Sequence, residues 1–534
     1  MPELKREIDR LGMPEEESLK VAELSDRARQ ESRAGQRENM GNLTSRIHPK
    51  TVLLDWGVLA IIVVFSLVTI VGPVARVFLH IELNYNEGWN AYNAQTAAHH
   101  LPLYAPKYSW TTVNYPIISF YAIAYLSRFL GDPVITGRLI SLTSLLLSSV
   151  LVALIVRRLT GNWCAAIFGG SFCLTLFCTV VSGYVGMNDP QLFAHPFFLA
   201  GLWLYLGGSL SDGMIFAVVA LFVLGGNIKQ NLIPAPFAVL IDLLVVSRTK
   251  AARFILFSTV LVGASIAINV IVGGPFFISK LLGPRSYSFL DVLRFLQTYE
   301  TIQVPLIIAI SWSIWQVRSK RFRVIAFYFL GSLFVGVAFS GVGGVSVNAY
   351  FDNFLAISII MGLFLDAVWQ LPIPHLQKGS MWRWAALLLF SLPLPFMLRE
   401  SPYYNLRKYL SQLPTKERQF KAEVSFLRAQ PGPAICESLL RCYYSGKPYV
   451  FDPFNSTNLV GFKKLNGQEI VQEIAEKRFG AIQTYIAVSD MTRPYEVFPN
   501  DILDAIDRYY QISWRDSDCV IYVPRRDSQA VEAQ

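Results

Sequence analysis

Apolar runs of about 20 residues recur between residues 52 and 398, and they constrain the fold more than any other feature of the chain. A helix of that length crosses the roughly 30 Å hydrocarbon core of a bilayer. Only 16% of the 534 residues are charged, whereas a typical soluble domain has about 25%. The sequence therefore predicts a polytopic α-helical membrane protein embedded in a lipid bilayer.

About eleven membrane-spanning helices are predicted from these runs. They lie near residues 52–72, 134–156, 163–182, 191–208, 213–226, 231–247, 253–272, 302–317, 324–340, 351–369 and 383–398. With the N-terminus inside, the inner loops contain Arg157, Arg158, Arg248, Lys250, Arg253, Arg318, Lys320, Arg321, Arg323, Lys378 and Arg383. The short outer loops carry only Lys229, as the positive-inside rule expects. An odd number of spans then places residues 400–534 on the periplasmic side of a bacterial inner membrane.

Three regions follow from the distribution of polar residues. Residues 1–50 carry ten basic and ten acidic residues without the apolar stretch of a signal peptide, and they predict a cytoplasmic polar tail. Residues 51–399 form the transmembrane region, whose long outer loops at 73–133 and 273–301 are of a length that usually carries function. Loop 73–133 has helical patterns, and the sequence of loop 273–301 predicts amphipathic pieces at the membrane surface. The third region is the periplasmic part, residues 400–534.

This periplasmic part is predicted to be a small α/β domain. Strand-like runs at residues 434–440, 447–454, 480–488 and 519–523 alternate with helical stretches at 467–478 and 500–509. Cys436, Cys442 and Cys519 could form a disulfide in an extracytoplasmic domain, but three candidates leave the pairing open.

Two acidic residues on the predicted outer face could carry chemistry. Glu87 follows the first span beside Asn86, and a carboxylate at the membrane boundary can accept a proton from a hydroxyl or bind a cation. The alternative is a solvated loop acid. Asp189 begins the fourth span, where the sequence Asn188-Asp189-Pro190 also fits a helix N-cap. Capping and catalysis are compatible.

Other polar residues on the same face are candidates for binding substrate: Arg138, Lys229, Gln230, Asn348, Tyr350 and Asp352. Lys229 runs against the positive-inside trend, and either an anionic lipid phosphate or snorkelling would explain it. Arg138 could face a phosphate or an acid such as Glu87. Because all of these residues lie on one face, they are predicted to form a single cleft.

The motifs and their order resemble the C-type (GT-C) glycosyltransferase superfamily, particularly the bacterial branch related to protein O-mannosyltransferases and the lipid A aminoarabinose transferase. Members carry an acid in the first outer loop within a segment like DEGxY…A. The segment NEGWNAYNA matches it, with Asn86 in place of the Asp and Glu87 retained. The Tyr-Pro segment at Tyr115, the MNDPQLF sequence, and the weaker KQN and NAYFDNFL echoes follow in order. The similarity covers about residues 50–400.

The resemblance implies a polyprenyl-phosphate sugar donor, a cell-envelope acceptor, an inverting periplasmic reaction and no nucleic-acid partner. In that chemistry Glu87 deprotonates the acceptor hydroxyl, Asp189 is a second catalytic carboxylate, and Lys229 and Arg138 stabilise the departing phosphate. Asn86 and Tyr115 are expected to bind substrate. No residue is assigned as a metal ligand, but Asn86 in place of the Asp leaves the identity of the base and a divalent cation open.

Two other classes of function remain open, a lipid-linked transporter or flippase and a noncatalytic envelope-assembly membrane protein. Transporters keep their polar residues near the bilayer midplane, often in repeats. Here the polar residues lie at one boundary and no repeat is visible. A structural role would leave their convergence on one face unexplained.

Overall fold

The computed structural model describes residues 49–526 apart from Ala105, Lys107, Ser209, residues 371–380 and Pro494. The predicted polar tail therefore lies outside the described residues except for its last two positions, and Lys378 lies outside them as well. Contacts divide the described residues into one unit of 49–58 with 381–384 and another of 59–370 with 385–526. The site described below lies entirely in the second unit.

The transmembrane region is a series of helices joined by two long loops. The helices are α1 Pro49–Val77, α2 Asn86–Ala98, α3 Ile118–Leu130, α4 Pro133–Thr160, α5 Trp163–Val180, α6 Pro190–Tyr205, α7 Asp212–Gly226, α8 Pro234–Val246, α9 Arg248–Gly273, α10 Phe277–Leu281, α11 Phe289–Leu296, α12 Gln303–Gln316, α13 Arg323–Ser340, α14 Phe351–Trp369, α15 Met381–Ser391 and α16 Pro393–Arg399. Each of the eleven predicted spans coincides with helix in the described chain, the last being divided into α15 and α16.

Six helices in the described part of the chain are long and apolar enough to cross a membrane. They are Trp56–Val77, Pro133–Thr160, Trp163–Val180, Arg248–Gly273, Arg323–Ser340 and Val347–Trp369. Only 6% of the apolar window of Arg248–Gly273 is buried inside the protein, so this helix presents its side chains to lipid. These helices confirm the prediction of a multi-pass α-helical membrane protein.

The bundle has an aromatic core, and several of its helices, among them α4, α6 and α7, begin at local capping signals. α4 packs against α5 and α6, and α5 packs against α14, with Phe177 and Phe351 in edge-to-face contact. Asp132 caps α4 by accepting a hydrogen bond from the backbone N–H of Val134 at 2.7 Å, with Pro133 in the first helical position. Capping before a proline is what defines the outer end of this helix.

The two long outer loops are ordered. Loop one, residues 78–132, contains α2 and α3, close to the helical patterns predicted at residues 86–99 and 115–129. Loop two, residues 274–302, contains the short helices α10 and α11 and a final 3-10 segment, Gln297–Ile302. Exposed apolar side chains on α11, including Phe289 and Leu290, suit a segment lying at a membrane surface.

The C-terminal part is a small α/β domain, as predicted. Its elements are α17 Leu406–Ala429, β1 Ala434–Cys436, α18 Leu439–Tyr444, α19 Pro453–Gly461, α20 Gly467–Ala475, β2 Ala481–Thr484, α21 Asn500–Tyr509, β3 Tyr510–Arg515 and β4 Val520–Pro524. The sheet order is β1-β2-β4-β3, with β1 and β2 parallel and β4 antiparallel to both of its neighbours. Cys436 and Cys442 form a disulfide, and Cys519 is free and buried.

One predicted strand is wrong and one strand was missed. Residues 447–452 are irregular and lead into α19, whose N-cap is Asp452. Their apolar side chains are buried for another reason, since Phe451 stacks between Trp110 of loop one and Phe498. β3 is an edge strand whose side chains are mostly exposed. Its sequence therefore lacks the apolar pattern by which a strand is predicted.

Candidate active site

Glu87, the predicted general base, lies in the first turn of α2 and is completely buried. Its carboxylate accepts hydrogen bonds from Nε and Nη2 of Arg138 at 2.7 and 2.6 Å. It also accepts from the backbone N–H groups of Leu83 at 3.0 Å and Asn188 at 3.1 Å. Both oxygens are therefore fully engaged, and neither faces open space where an acceptor hydroxyl could approach.

Arg138 faces Glu87 and not a phosphate. Its guanidinium is completely buried and also donates to the carbonyl oxygens of Leu79 at 2.7 Å and Ile81 at 2.6 Å. This bidentate ion pair ties α4 to the start of loop one and, through Asn188, to the loop before α6. In this structure the pair holds the backbone around the site, and the predicted contacts of Glu87 and Arg138 with substrate stay predictions.

Gly88 explains why a glycine follows the acid in the first-loop motif. A Cβ atom at this position would lie 2.1 Å from the backbone nitrogen of Leu440 in α18. α2 therefore packs directly on the backbone of the C-terminal domain. Trp89 reinforces the contact, because its indole Nε1 donates to Oδ2 of Asp452 at 3.1 Å.

The carboxylate of Asp189, unlike that of Glu87, is only partly hydrogen-bonded. Oδ1 accepts a hydrogen bond from the backbone N–H of Gln191 at 2.8 Å and so caps α6. Oδ2 is buried and has no hydrogen-bond partner among the described residues. Burial raises the pKa of the Asp189 carboxyl, and the ammonium of Lys229 partly offsets that rise. Asp189 thus has one free carboxylate oxygen beside a cation.

Unpartnered amide groups lie on residues next to Asp189 and Lys229 in the chain and on Asn90 of α2. Within the described chain, buried side-chain atoms without a partner include Asn90 Oδ1, Asn188 Nδ2, Gln191 Oε1 and Gln230 Oε1. Asn90 donates through Nδ2 to the carbonyl of Asn188 at 2.8 Å, which joins α2 to the loop before α6. Buried polar atoms in proteins are nearly always paired, so a group of unpaired ones marks a position for bound ligand or water.

Lys229 completes the group. Its side chain is buried, and its ammonium lies 3.5 Å from the centroid of the Tyr115 ring, a close cation–π contact. Tyr115 in turn packs edge-to-face on Trp89, with 5.1 Å between ring centroids. Tyr115 and Trp89 line a small cavity together with Asn86. The structure therefore brings Asn86, Asp189, Tyr115 and Lys229 to one site.

Gln230 joins the same site from the loop after α7. Its Nε2 donates to the carbonyl oxygen of Asn114 at 2.9 Å, next to Tyr115. Asn348 takes part through its backbone, because its carbonyl accepts from Nε2 of Gln191 at 3.2 Å. Both residues therefore border the cluster around Asp189.

Asp352 and Tyr350 lie elsewhere, inside the helix bundle. Asp352 accepts a hydrogen bond from the hydroxyl of Tyr328 at 2.8 Å, and its Oδ1 lies 3.7 Å from Nδ1 of His195. Tyr350 packs edge-to-face on Tyr299 at 5.0 Å. Tyr350 thus contacts loop two, and Asp352 contacts helices of the bundle. Neither residue lines the cavity beside Tyr115.

Several residues of the site were missed by sequence reasoning. Asn90, Asn188 and Gln191 carry amides, which are too common on outer loops to stand out. Arg285 of loop two lines the cavity beside Tyr115. Its basic side chain on a predicted outer loop was a usable signal, because the positive-inside rule disfavours it there.

A separate group of carboxylates could hold a metal ion. Oxygen atoms of Glu423, Asp516 and Asp518 lie within 4.8 Å of one another in the described part of the C-terminal domain. Glu423 is already hydrogen-bonded to Nε of Arg441 at 2.7 Å. At Asp189, by contrast, the neighbouring charge is the ammonium of Lys229, which disfavours a cation.

No protein-family model matches the sequence, and no curated protein matches it at a significant level. Solved structures do match. ArnT from Cupriavidus metallidurans in the apo state aligns with a TM-score of 0.58 at 13% identity, over 87% of this chain and 97% of that chain. ArnT bound to undecaprenyl phosphate aligns with a TM-score of 0.53 at 14% identity, over 88% and 97%.

The archaeal oligosaccharyltransferase AglB from Archaeoglobus fulgidus also matches. Its complex with an inhibitory peptide and a dolichol-phosphate aligns with a TM-score of 0.51 at 12% identity, over 89% of this chain and 74% of that chain. ArnT and AglB are both members of the GT-C superfamily. The chain therefore has the fold of the GT-C glycosyltransferases, the superfamily that its sequence motifs resemble.

Proposed function

We propose that the protein transfers a sugar from a polyprenyl-phosphate donor to an acceptor of the cell envelope, with inversion, at the periplasmic face of the bacterial inner membrane. The observation that carries the proposal is the unpartnered, buried Oδ2 of Asp189 beside the buried ammonium of Lys229. The fold supports it, because the matched ArnT and AglB structures contain undecaprenyl phosphate and dolichol-phosphate.

Asp189 is the general base of this proposal. Oδ2 takes the proton of the acceptor hydroxyl as the hydroxyl oxygen attacks the anomeric carbon of the donor sugar. The bond from that carbon to the phosphate oxygen breaks, and its electron pair leaves with the polyprenyl phosphate. Burial favours the role, because it raises the pKa of Asp189 and makes the carboxylate a stronger base.

Lys229 stabilises the departing phosphate. A buried ammonium near the reacting centre is held in place before the charge develops, which is the arrangement that lowers a barrier of this kind. The ring of Tyr115 fixes its position. The unpartnered amides of Asn90, Asn188 and Gln230 provide donors and acceptors for sugar hydroxyls.

The polar atoms of the cluster belong to loops and helix ends. Asp189 is the N-cap residue of α6, and Lys229 follows the end of α7. Transporters place their binding groups near the bilayer midplane in broken helices. The arrangement supports transfer at one membrane face over transport through the membrane.

A periplasmic C-terminal domain is part of the proposal. The disulfide between Cys436 and Cys442 suits an oxidising compartment. The basic inner loops support the same orientation, with the N-terminus in the cytoplasm. The domain covers loop one through Gly88 and Trp89 and thereby encloses the site.

Replacement of Asp189 by Asn tests the base. Asn caps a helix about as well as Asp, so α6 should form normally in Asp189→Asn. We expect incorporation of labelled sugar into the envelope to fall by roughly 10²- to 10⁴-fold, the usual contribution of a general base. Asp132→Asn is the matched control, because Asp132 also caps a helix before a proline at the outer end. Near-normal transfer by Asp189→Asn would contradict the proposal.

A further inference from the structure

A second cavity adjoins the site on the side of the C-terminal domain. Its walls are residues 108–114 of loop one, α10 with the turn that follows it, and α19. It shares Asn114, Arg285 and Asn455 with the small cavity lined by Asn86 and Tyr115. The two cavities are therefore adjacent parts of one cleft.

Lys280 of α10 is a buried cation in the second cavity. Its side chain is 6% exposed, and Nζ donates to the hydroxyls of Thr112 at 3.0 Å and Ser109 at 3.3 Å. It forms no ion pair with a carboxylate of the described chain. Burial lowers the pKa of Lys280 to about 8, although Asp452 partly opposes this shift. A buried ammonium without a carboxylate in ion-pair contact is costly, and an anion in the cavity would reduce that cost.

Arg285 is the second cation of the cavity. Its Nη1 donates to the carbonyl oxygen of Gly343 at 3.0 Å, and within the described residues it has no carboxylate partner. Asn114, Asn455 and Asn458 add carboxamides to the same walls, and neither Asp nor Glu lines them. Two cations and three amides without an acid form a surface that favours anions.

We infer that this cavity binds an anionic group, phosphate or carboxylate, carried by the acceptor. The inference rests on the proposed function, which assigns the donor phosphate to Lys229 and the acceptor hydroxyl to Asp189. The cavity adjoins the one lined by Tyr115, whose ring contacts Lys229, and one of its walls is α19 of the C-terminal domain. An acceptor whose hydroxyl reaches Asp189 can place its own charge between Lys280 and Arg285.

Binding to the full-length protein in detergent tests the inference with two ligands. Glucose 1-phosphate probes the cavity, with glucose as its uncharged match, and undecaprenyl phosphate probes the donor site. Lys280→Gln and Arg285→Gln should each weaken the binding of glucose 1-phosphate by about 10- to 100-fold, the usual effect of losing one charge-assisted hydrogen bond. Lys280→Arg should retain binding. Lys408→Gln, an exposed position, serves as the control.

The binding of undecaprenyl phosphate distinguishes the possible outcomes. Undecaprenyl phosphate should bind Lys280→Gln as tightly as the unchanged protein, which also shows that the variant is folded. If Lys280→Gln loses undecaprenyl phosphate instead, the cavity is the donor phosphate site and the acceptor inference is overturned. Equal affinity of glucose 1-phosphate for Lys280→Gln and the unchanged protein would also overturn it. Failure of undecaprenyl phosphate to bind the unchanged protein would count against the proposed function alone.

The pH dependence of binding has a definite sign. Because the pKa of Lys280 is lowered to about 8, the ammonium is present below that pH and is lost as the pH rises through it. Glucose 1-phosphate should therefore bind more weakly at pH 9 than at pH 7, and in Lys280→Arg the decrease should disappear. An unchanged affinity between pH 7 and pH 9 would contradict a role for the Lys280 charge.

Discussion

Glu87 and Asp189 are both buried carboxylates at the same end of the bundle, and their hydrogen-bonding surroundings are opposite. Glu87 accepts four hydrogen bonds, two of them from Arg138. Asp189 accepts one at Oδ1, leaves Oδ2 without a described partner, and has Lys229 as its neighbouring cation. The backbone of Asn188 touches both, since its N–H donates to Glu87 and it precedes Asp189 in the chain.

The contrast separates a structural ion pair from a reactive site. A buried charge is tolerated when every hydrogen-bonding position is filled, and such a pair holds elements together. A buried polar group left unpaired costs free energy. Its presence in a folded protein is therefore a sign that something else is bound there. By this criterion we interpret Glu87 with Arg138 as an anchor and propose Asp189 with Lys229 as the site.

The largest expected effect is on stability, from Glu87→Gln. Removal of the Glu87 charge leaves the buried guanidinium of Arg138 without its counter-ion, and we expect the free energy of unfolding to fall by about 3–5 kcal/mol. Thermal unfolding of the protein in detergent measures this, with the exposed Glu469→Gln as control. A Glu87→Gln variant of unchanged stability that has lost transfer would reverse the comparison and make Glu87 the base.

Lys229→Gln should act on the donor and leave the fold largely intact. Loss of the charge should weaken the binding of undecaprenyl phosphate by about 10- to 100-fold, since a charge-assisted hydrogen bond contributes roughly 1.5–3 kcal/mol. Binding in detergent measures the change. An unaltered affinity would mean that Lys229 only pairs with Asp189.

The same substitution should move the pH profile of transfer. The base works when Asp189 is deprotonated, so activity falls as the pH drops through its pKa. Burial raises that pKa and Lys229 lowers it, so removal of Lys229 should shift the acidic limb of the profile to higher pH. Rates of sugar transfer by Lys229→Gln across the acidic range are the measurement, and an unmoved limb would exclude Asp189 as the titrating group.

The smallest expected effect on stability comes from Asn90→Ala. The variant loses the hydrogen bond to Asn188 but also removes the unpartnered Oδ1. The free energy of unfolding should therefore fall by only about 1 kcal/mol. Donor or acceptor binding should weaken in the same variant. A large loss of stability with normal binding would show that Asn90 belongs to the anchor.

Much of the transmembrane fold was predictable because its causes are local. The length of an apolar run decides whether a helix can cross the bilayer, and short signals such as Asp132-Pro133 and Asp189-Pro190 define where helices begin. The edge strand β3 was missed because its mostly exposed side chains lack an apolar pattern. The run at residues 447–452 was misassigned because its apolar side chains pack on loop one and not in the sheet.

Which of the two predicted catalytic carboxylates is fully hydrogen-bonded was not predictable in the same way. Motif order favours Glu87, and nothing near it in the chain reveals that Arg138, 51 residues later, occupies its carboxylate. Lys280 and Arg285 are unusual as basic residues of a predicted outer loop, but their placement in one acid-free cavity depends on α19. The sequence also left the pairing of Cys436 with Cys442 open, because it depends on the turn from β1 into α18.

The amino-acid sequence by itself determined a multi-helical membrane protein and a small α/β domain at its C-terminal end, and it predicted the face on which the polar residues gather. These follow from hydropathy, loop charge and capping, which act over a few residues. Only the tertiary structure decided which carboxylate is engaged and which is free. The physical reason is that burial and hydrogen-bond pairing are relations between groups far apart in the chain.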